Sequence, residues 1–443
     1  MQNLKIWSYL SLPWMLAALF FFVSFIFLAF FKGTQIEYLT NDYLLGLFKN
    51  TFVLSFLTAL ISALIAVPLA ILVTFYNFPG KKFFSWSLSL SIAFPAYVYA
   101  FIYVGIFEYS SPISSYLRNF GIMLPSIKNL FGASVVLSMA LFPYIYLLLR
   151  VKLTSVGLDL FRAAKSLGNN NTASIFKVII PSLFPVIIAG MTLVIFETIA
   201  DFGGVSTLRI ETFTVGIYNA WFGYQSYFSA ARLAGYLLIF VFIIIFIAKY
   251  YERKQRNLAQ KTSEVFEGMK LVPYKSFLAS LYCSFIFTIV FLIPIGQLLI
   301  WASKENNFLN IENMYLIFNS LTLGIIVSII TVFFGIALAL AYRSQKKIRL
   351  GISISSSGYA VPGSVISAGL LVSFGYFFKV SITSFGIIGL VFCLSLRFMT
   401  PAYNYLSAAL LNIKESSENA LATYSKDSMR AFTYFYFPHM KSA

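Results

Sequence analysis

The sequence predicts an all-α polytopic membrane protein, and three observations carry that reading. Of 443 residues, 59% are hydrophobic and 11% charged, less than half the charged share of an average soluble domain, about 25%. The mean hydropathy is +0.83. Apolar runs long enough to cross a bilayer as helices, about 20 residues, recur along the whole chain. A surface facing water could not be covered with so little charge.

Ten runs qualify as spans, beginning with Leu10–Phe31. That run exceeds the apolar core of a secretion signal, and no A-x-A-like site follows it, so it reads as a retained first span. Next come Phe52–Tyr76, Phe84–Phe107, Phe131–Leu149 and Pro181–Ala200. Leu233–Ala248 is the shortest and gains a turn at each end. Leu278–Trp301, Ile317–Tyr342, Ile352–Phe378 and Phe385–Leu411 complete the set. Pro143 and Pro401 fall inside the fourth and tenth, where neighbouring helices satisfy the freed carbonyls.

Charge sets the orientation. The chain carries 32 Lys and Arg against 15 Asp and Glu, a net charge of +17. With the N-terminus inside, inner segments hold 23 of the basic residues and outer segments 8, with Arg397 left within a span. The positive-inside rule therefore predicts a cytoplasmic N-terminus, and the basic linker reads as topogenic rather than nucleic-acid binding. His439 is the only histidine, and both cysteines, Cys283 and Cys393, lie in apolar runs. Hence there is no His-based triad, no disulfide framework, no metal-ligand spacing and no phosphate loop. Neither an enzyme activity nor a cofactor is expected.

The sequence repeats. Asn50 and its run resemble Asn319 and its run, and AFPAYVYA from Ala93 resembles AVPGSVIS from Ala360. Pro143 corresponds to Pro401, and Pro181 to Pro438, with offsets drifting from 269 to 257. An even number of spans per copy gives a parallel repeat about an axis along the membrane normal. The expected organisation is a first repeat over 1–250, a cytoplasmic linker over 251–277 and a second repeat over 278–443. Six spans are expected per repeat, with the second lacking counterparts of the last two.

After the fourth span comes DLFRAAKSLGNNNTASIFKVIIPSLFPVIIAG. Asp159–Leu167 can form a short helix that is apolar at Leu160, Phe161, Ala164 and Leu167. Its alanines favour helix and leave room for another protein to approach. Gly168 with Asn169 suits a left-handed cap, and Pro181 suits the first turn of the next span. An ordinary interfacial amphipathic helix would share these features, but the spacing is more specific. This stretch, about 159–181, resembles the EAA loop of permease subunits in bacterial binding-protein-dependent ABC importers. Ala163 and Ala164 match the alanine pair, Gly168 the glycine, Val178 and Ile180 the apolar pair, and Pro181 the proline. Arg162 stands where the family usually has Glu. In the second repeat, about 415–438, alignment on Pro438 places Asn419, Ala420 and Leu421 at Glu-Ala-Ala and Ser425 at the glycine. Only Ala420 and Pro438 match there, so that loop is degenerate but correctly placed.

Beyond the first loop, ETIADFGG and TFTVGIY resemble the segment after the fifth span in iron(III) importer permeases, at Glu197, Ala200–Gly203, Thr212–Thr214 and Gly216–Tyr218. Glu197 and Asp201 lie on one helix face near its outer end, and intramembrane carboxylates default to a functional hypothesis. Oxygen ligands suit a hard trivalent cation, so the pair is a candidate for the translocation path, without forming a stable metal site. Alternatively both are helix-end residues at the water interface, or contact a binding protein. Arg397 reads as a structural partner for an acid or for carbonyls freed by Pro401.

The resemblance, over nearly the whole chain, implies a type I ABC importer permease with two fused copies. It implies alternating access driven by a separate cytoplasmic ABC ATPase dimer gripping both loops. An extracytoplasmic iron-binding protein would deliver the ion at the bacterial inner membrane. Rivals are a permease for thiamine, a polyamine or sulfate, and an ion-gradient-driven secondary transporter. The scarcity of Asp and Glu in the spans counts against the last.

Overall fold

The computed structural model describes residues 5–31, 39–154, 158–253, 269–304, 310–379, 382–411, 413, 415–424 and 427–440. Among them the fold is nearly all helix, with one two-residue parallel bridge pairing Tyr76–Asn77 with Met269–Lys270. The helices run α1 (Lys5–Phe31), α2 (Asn41–Phe75), α3 (Lys81–Ser87), α4 (Ala96–Phe107), α5 (Pro112–Arg118) and α6 (Leu130–Lys152). There follow α7 (Leu158–Ser166), α8 (Asn171–Ala173), α9 (Ile180–Ala200), α10 (Gly203–Thr207), α11 (Phe213–Tyr218) and α12 (Tyr227–Arg253). Then come α13 (Pro273–Phe287), α14 (Ile293–Ala302), α15 (Ile311–Ser344), α16 (Arg349–Ser355) and α17 (Gly363–Phe378). The described chain closes with α18 (Ile382–Leu411), α19 (Glu415–Tyr424), α20 (Ser428–Ala431) and α21 (Phe437–Met440). Polar caps start the long helices: Thr40 accepts from the Tyr43 amide at 3.2 Å, Asn129 from Gly132 at 2.9 Å and Asn310 from Asn313 at 2.8 Å. Each cap satisfies an amide that the first turn cannot.

Among the described residues, eight helical segments are long and apolar enough to cross a membrane. They correspond to eight of the ten expected runs. The other two, Phe84–Phe107 and Ile352–Phe378, are broken rather than continuous, and both break at the repeated motif. In the first, a 3₁₀ turn over Leu90–Ala93 ends at extended Phe94 (φ −95°, ψ 123°), and Pro95 opens α4. In the second, a 3₁₀ turn over Gly358–Ala360 ends at extended Val361 (φ −91°, ψ 123°), and Pro362 opens α17. The residue before proline is disfavoured in the helical region, and proline is best tolerated at a helix start. The first break bends its span by 91°. The second leaves α17 as a shorter apolar helix.

Proline shapes two other spans and the last described helix in a second way. π-helical turns over Ser174–Ile179, Thr288–Leu292 and Phe432–Tyr436 each run into a helix whose second residue is proline: Pro181, Pro294 and Pro438. The missing amide leaves a carbonyl one turn back without its partner, and the widened turn redistributes the rest.

The chain forms two compact units that cut across the sequence repeats. One comprises Glu37–Gly216 and Phe240–Asn306. Its centre is α2 packed along α6, where Ala59, Ala63, Ala66 and Ala70 of α2 and Ala133 and Ala140 of α6 are buried. Small residues at i, i+4, i+7 and i+11 let helix backbones approach, which drives packing where lipid is as apolar as the core. Gly190 of α9 extends this, since a Cβ there would sit 3.1 Å from the Ile145 Cα of α6. The other unit comprises Met1–Ile36, Ile217–Ile239 and Asn307–Ala443. In it α1 packs among α15, α16 and α17: Trp14 stacks on Phe334 at 5.3 Å and donates its indole N–H to the Ser355 carbonyl at 3.3 Å. Gly369 of α17 admits Phe25, whose ring would lie 2.8 Å from a Cβ.

Candidate functional site

The first loop is built from a short helix and a sharp stop. α7 spans Leu158–Ser166, one residue earlier than the pattern predicts. Phe161 and Ala164 are buried, whereas Arg162, Ala163 and Lys165 face outward, so the alanine pair divides between bundle and exterior. Leu167 departs from expectation. It falls past the helix end and is 82% exposed, because the cap swings it away from the face that buries Phe161.

That cap is a Schellman turn. The Gly168 amide donates to the Lys165 carbonyl at 3.0 Å and the Asn169 amide to Ala164 at 3.2 Å. Gly168 has φ +85°, and nothing lies within 4 Å of where a Cβ would stand, so conformation and not space demands glycine. Asn169 adds a side-chain bond to the Ala164 carbonyl at 3.2 Å. Asn170 then caps α8, accepting from Ala173 at 2.7 Å. The chain passes through the π-turn into α9, with Val178 and Ile180 half-buried and Pro181 exposed in its first turn.

The second loop shares its short helix, its capped turn and its proline with the first despite its degenerate sequence. Glu415 follows Leu158, Asp427 follows Asn170 and Pro438 follows Pro181, all at an offset of 257. Asp427 caps α20, accepting from Met429 at 2.9 Å, and a π-turn again precedes the proline. Ala420 is exposed and Leu421 half-buried. Asn419 lies within α19, and Ser425 lies outside the described residues. Sequence reasoning missed Glu418. Its Oε2 lies 3.0 Å from Arg343 at the end of α15, and its Oε1 accepts from the Tyr436 hydroxyl at 3.3 Å. Its place beside Asn419 in the aligned loop was the available signal.

The carboxylate pair separates on closer view. Glu197 is half-buried in the last turn of α9, whereas Asp201 is its C-cap. Asp201 Oδ2 accepts from the Val205 amide at 3.1 Å, and its carbonyl accepts from Thr214 at 2.8 Å. A side chain on Gly204 would collide with that carboxylate. Burial pushes the Asp201 carboxyl up to about 6; the Gly204 and Val205 amides oppose the rise and Glu197 adds to it. The neighbouring motif is tied to the same knot. Thr212 bonds Thr214 at 2.9 Å, the Phe213 amide donates to Thr51 at 3.1 Å, and Asn50 donates to the Glu211 carbonyl at 3.0 Å. ADFG and TFT therefore stitch the C-terminal end of α9 to α2, a structural reason for both motifs. Among the described residues, no three His, Cys, Asp or Glu side chains cluster as metal ligands. Arg397 lies in α18 with its guanidinium 5.9 Å from the Tyr359 ring centre, beside Gly363 at the start of α17.

Residues 66–257 match the family described as binding-protein-dependent transport system inner membrane component. A sulfate transport system permease protein of Escherichia coli (strain K12) is 24% identical over 38% of this chain and 60% of its own length. An Fe(3+)-transport system permease protein of Haemophilus influenzae (strain ATCC 51907 / DSM 11121 / KW20 / Rd) is 24% identical over 76% of this chain and 65% of its own. A probable sulfate permease of Chlorokybus atmophyticus is 28% identical over 35% of this chain and 55% of its own. The chain thus spans about 55–65% of the length of these curated relatives. Residues 66–257 are thus similar to that family of transport components, and among the described residues eight helices are long and apolar enough to cross a membrane.

Proposed function

We propose that the chain is the permease subunit of a bacterial ABC importer, moving iron(III) across the inner membrane by alternating access. The observation that carries this reading is the loop: an exposed short helix, a Schellman stop and a proline-started span, of which the short helix, the cap before the next turn and the proline recur at an offset of 257. Such a loop offers a separate ATPase dimer two footholds, around Ala163 and around Ala420, and leaves hydrolysis to that partner. Two fused copies joined by the basic linker, 251–277, fit the paired breaks at Pro95 and Pro362 as well as the paired loops. A cytoplasmic N-terminus puts the loops inside and places Glu197 and Asp201 at the outer mouth, where an extracytoplasmic binding protein would release its ion.

Iron is favoured over sulfate on two counts. The Fe(3+) relative aligns over 76% of the chain, whereas the E. coli sulfate relative aligns over 38%. Glu197, half-buried in the last turn of α9, also attracts a trivalent cation and repels a dianion, whereas the Asp201 carboxylate is engaged by the Val205 amide. Sulfate is the second reading, supported by the number of sulfate permeases among the relatives. The test is uptake into proteoliposomes holding the chain, its ATPase subunit and its binding protein, supplied with ⁵⁵Fe(III) or ³⁵S-sulfate. Iron uptake unaffected by sulfate is expected; sulfate uptake alone would keep the class and discard the metal.

A further inference from the structure

The two loop helices are fastened to their bundles by different chemistry. In the first unit, Phe161 of α7 packs against Phe75 in the last turn of α2, ring centres 5.3 Å apart, both buried. In the second, the counterpart of Phe161 at the offset of 257 is Glu418. It meets the last turn of α15 through Arg343, at 3.0 Å, and takes a second bond from Tyr436. Arg343 does more than neutralise the carboxylate. It also donates to the carbonyls of Leu410 and Ile413 at the end of α18, the second at 3.2 Å. One guanidinium therefore ties α15, the end of α18 and α19 together, and those carbonyls are ones the helix end cannot satisfy itself. The Arg343 side chain is 21% exposed and that of Glu418 10%. A pair so far removed from water holds firmly while intact and is costly to break from one side, because a charge is left without its counterpart.

We propose that Arg343, Glu418 and Tyr436 are the positioning residues of the second coupling loop, in place of the aromatic clasp Phe75–Phe161 of the first. The proposal rests on reading both loops as ATPase-coupling loops. Its consequence is an asymmetry: a change of charge loosens α19 and leaves α7 in place, and loss of an aromatic ring does the reverse. In both loops the anchor stands one residue before the Glu-Ala-Ala positions, at Phe161 and at Glu418.

Hydrogen–deuterium exchange on the full chain in nanodiscs tests this with no partner present. Glu418→Gln should speed exchange over 415–424 by about tenfold and leave 158–166 unchanged, and Phe161→Ala should do the opposite. Glu418→Asp should stay closer to wild type than Glu418→Gln. In an Arg343→Gln background, Glu418→Gln should add little further exchange, because the two act through one contact. Unchanged exchange over 415–424 in Glu418→Gln, or full additivity with Arg343→Gln, would overturn the proposal. Because no ATPase is present, failure of ATP-driven uptake would count against the transport reading alone.

Discussion

Tyr99 donates its hydroxyl to the carbonyl of Val290 at 2.5 Å, in the π-turn that precedes Pro294, a residue with no amide to offer that turn. One turn along α4, Tyr103 donates to the neighbouring Ile289 carbonyl at 2.6 Å. Two phenols spaced i, i+4 thus supply the donors that a proline and a π-turn withhold, inside a bundle where no water replaces them. This pairing fixes α4, just past the break at Pro95, against the π-turn between α13 and α14.

Tyr99→Phe and Tyr103→Phe should therefore each destabilise the protein by about 1–2 kcal/mol, the cost of leaving a buried carbonyl unsatisfied. Pro294→Ala returns an amide one turn ahead of Val290, so Tyr99→Phe should cost less in that background. Thermal unfolding of the four variants in one detergent, read as a double-mutant cycle, checks this.

Gly168 should tolerate replacement according to backbone preference and not size, since its φ is +85° and the space beside it is open. Gly168→Asn should lose least, and Gly168→Ala about 1–2 kcal/mol of local stability. Gly168→Val should be worst, because a β-branched residue is a strong outlier at positive φ. Exchange protection of α7 and α8 reports the order.

Glycines elsewhere should divide by space. Gly46, inside α2, has nothing within 4 Å of a Cβ, so Gly46→Ala should stabilise by about 0.5–1 kcal/mol. Gly358 lies against the Leu396 backbone, where any Cβ collides with its carbonyl. Gly358→Ala should sharply lower the folded yield by forcing the broken span off α18. Yield and melting temperature of the two variants make the comparison.

Much of this fold was legible in the sequence because a membrane simplifies the problem. Apolar length alone located the spans, and the proline and glycine of the first loop located its turns. The breaks at Pro95 and Pro362 were visible as repeated motifs, yet long apolar runs hide a bend because both sides of it are apolar. The exposure of Leu167 was not legible, since helical periodicity ignores where a Schellman cap stops the helix. Nor was the Arg343–Glu418 pair, whose members are 75 residues apart and meet only through tertiary packing. Asp201 read in the sequence as a path candidate or a helix-end residue; its bond to the Val205 amide depends on a turn that composition does not announce.

The pH dependence of that turn follows from burial. The Asp201 carboxyl rises from 3.8 to about 6 on folding, so the folded state binds its proton more tightly than the unfolded chain. This contribution favours folding fully below 3.8 and is lost as pH rises through about 6. Wild type should therefore gain melting temperature between pH 7 and pH 5 relative to Asp201→Asn, which keeps an acceptor for Val205 and cannot titrate. Paired melting curves across that range decide it.

The most direct test of the transport account is the energy source. Vesicles containing the chain, its ATPase subunit and its binding protein would be loaded with ATP or with a non-hydrolysable analogue, in the presence and absence of an ion gradient. The account predicts solute uptake that requires hydrolysable ATP, ignores the gradient and disappears in Gly168→Asp while the protein stays folded. Uptake that persists without ATP and follows the gradient would contradict it.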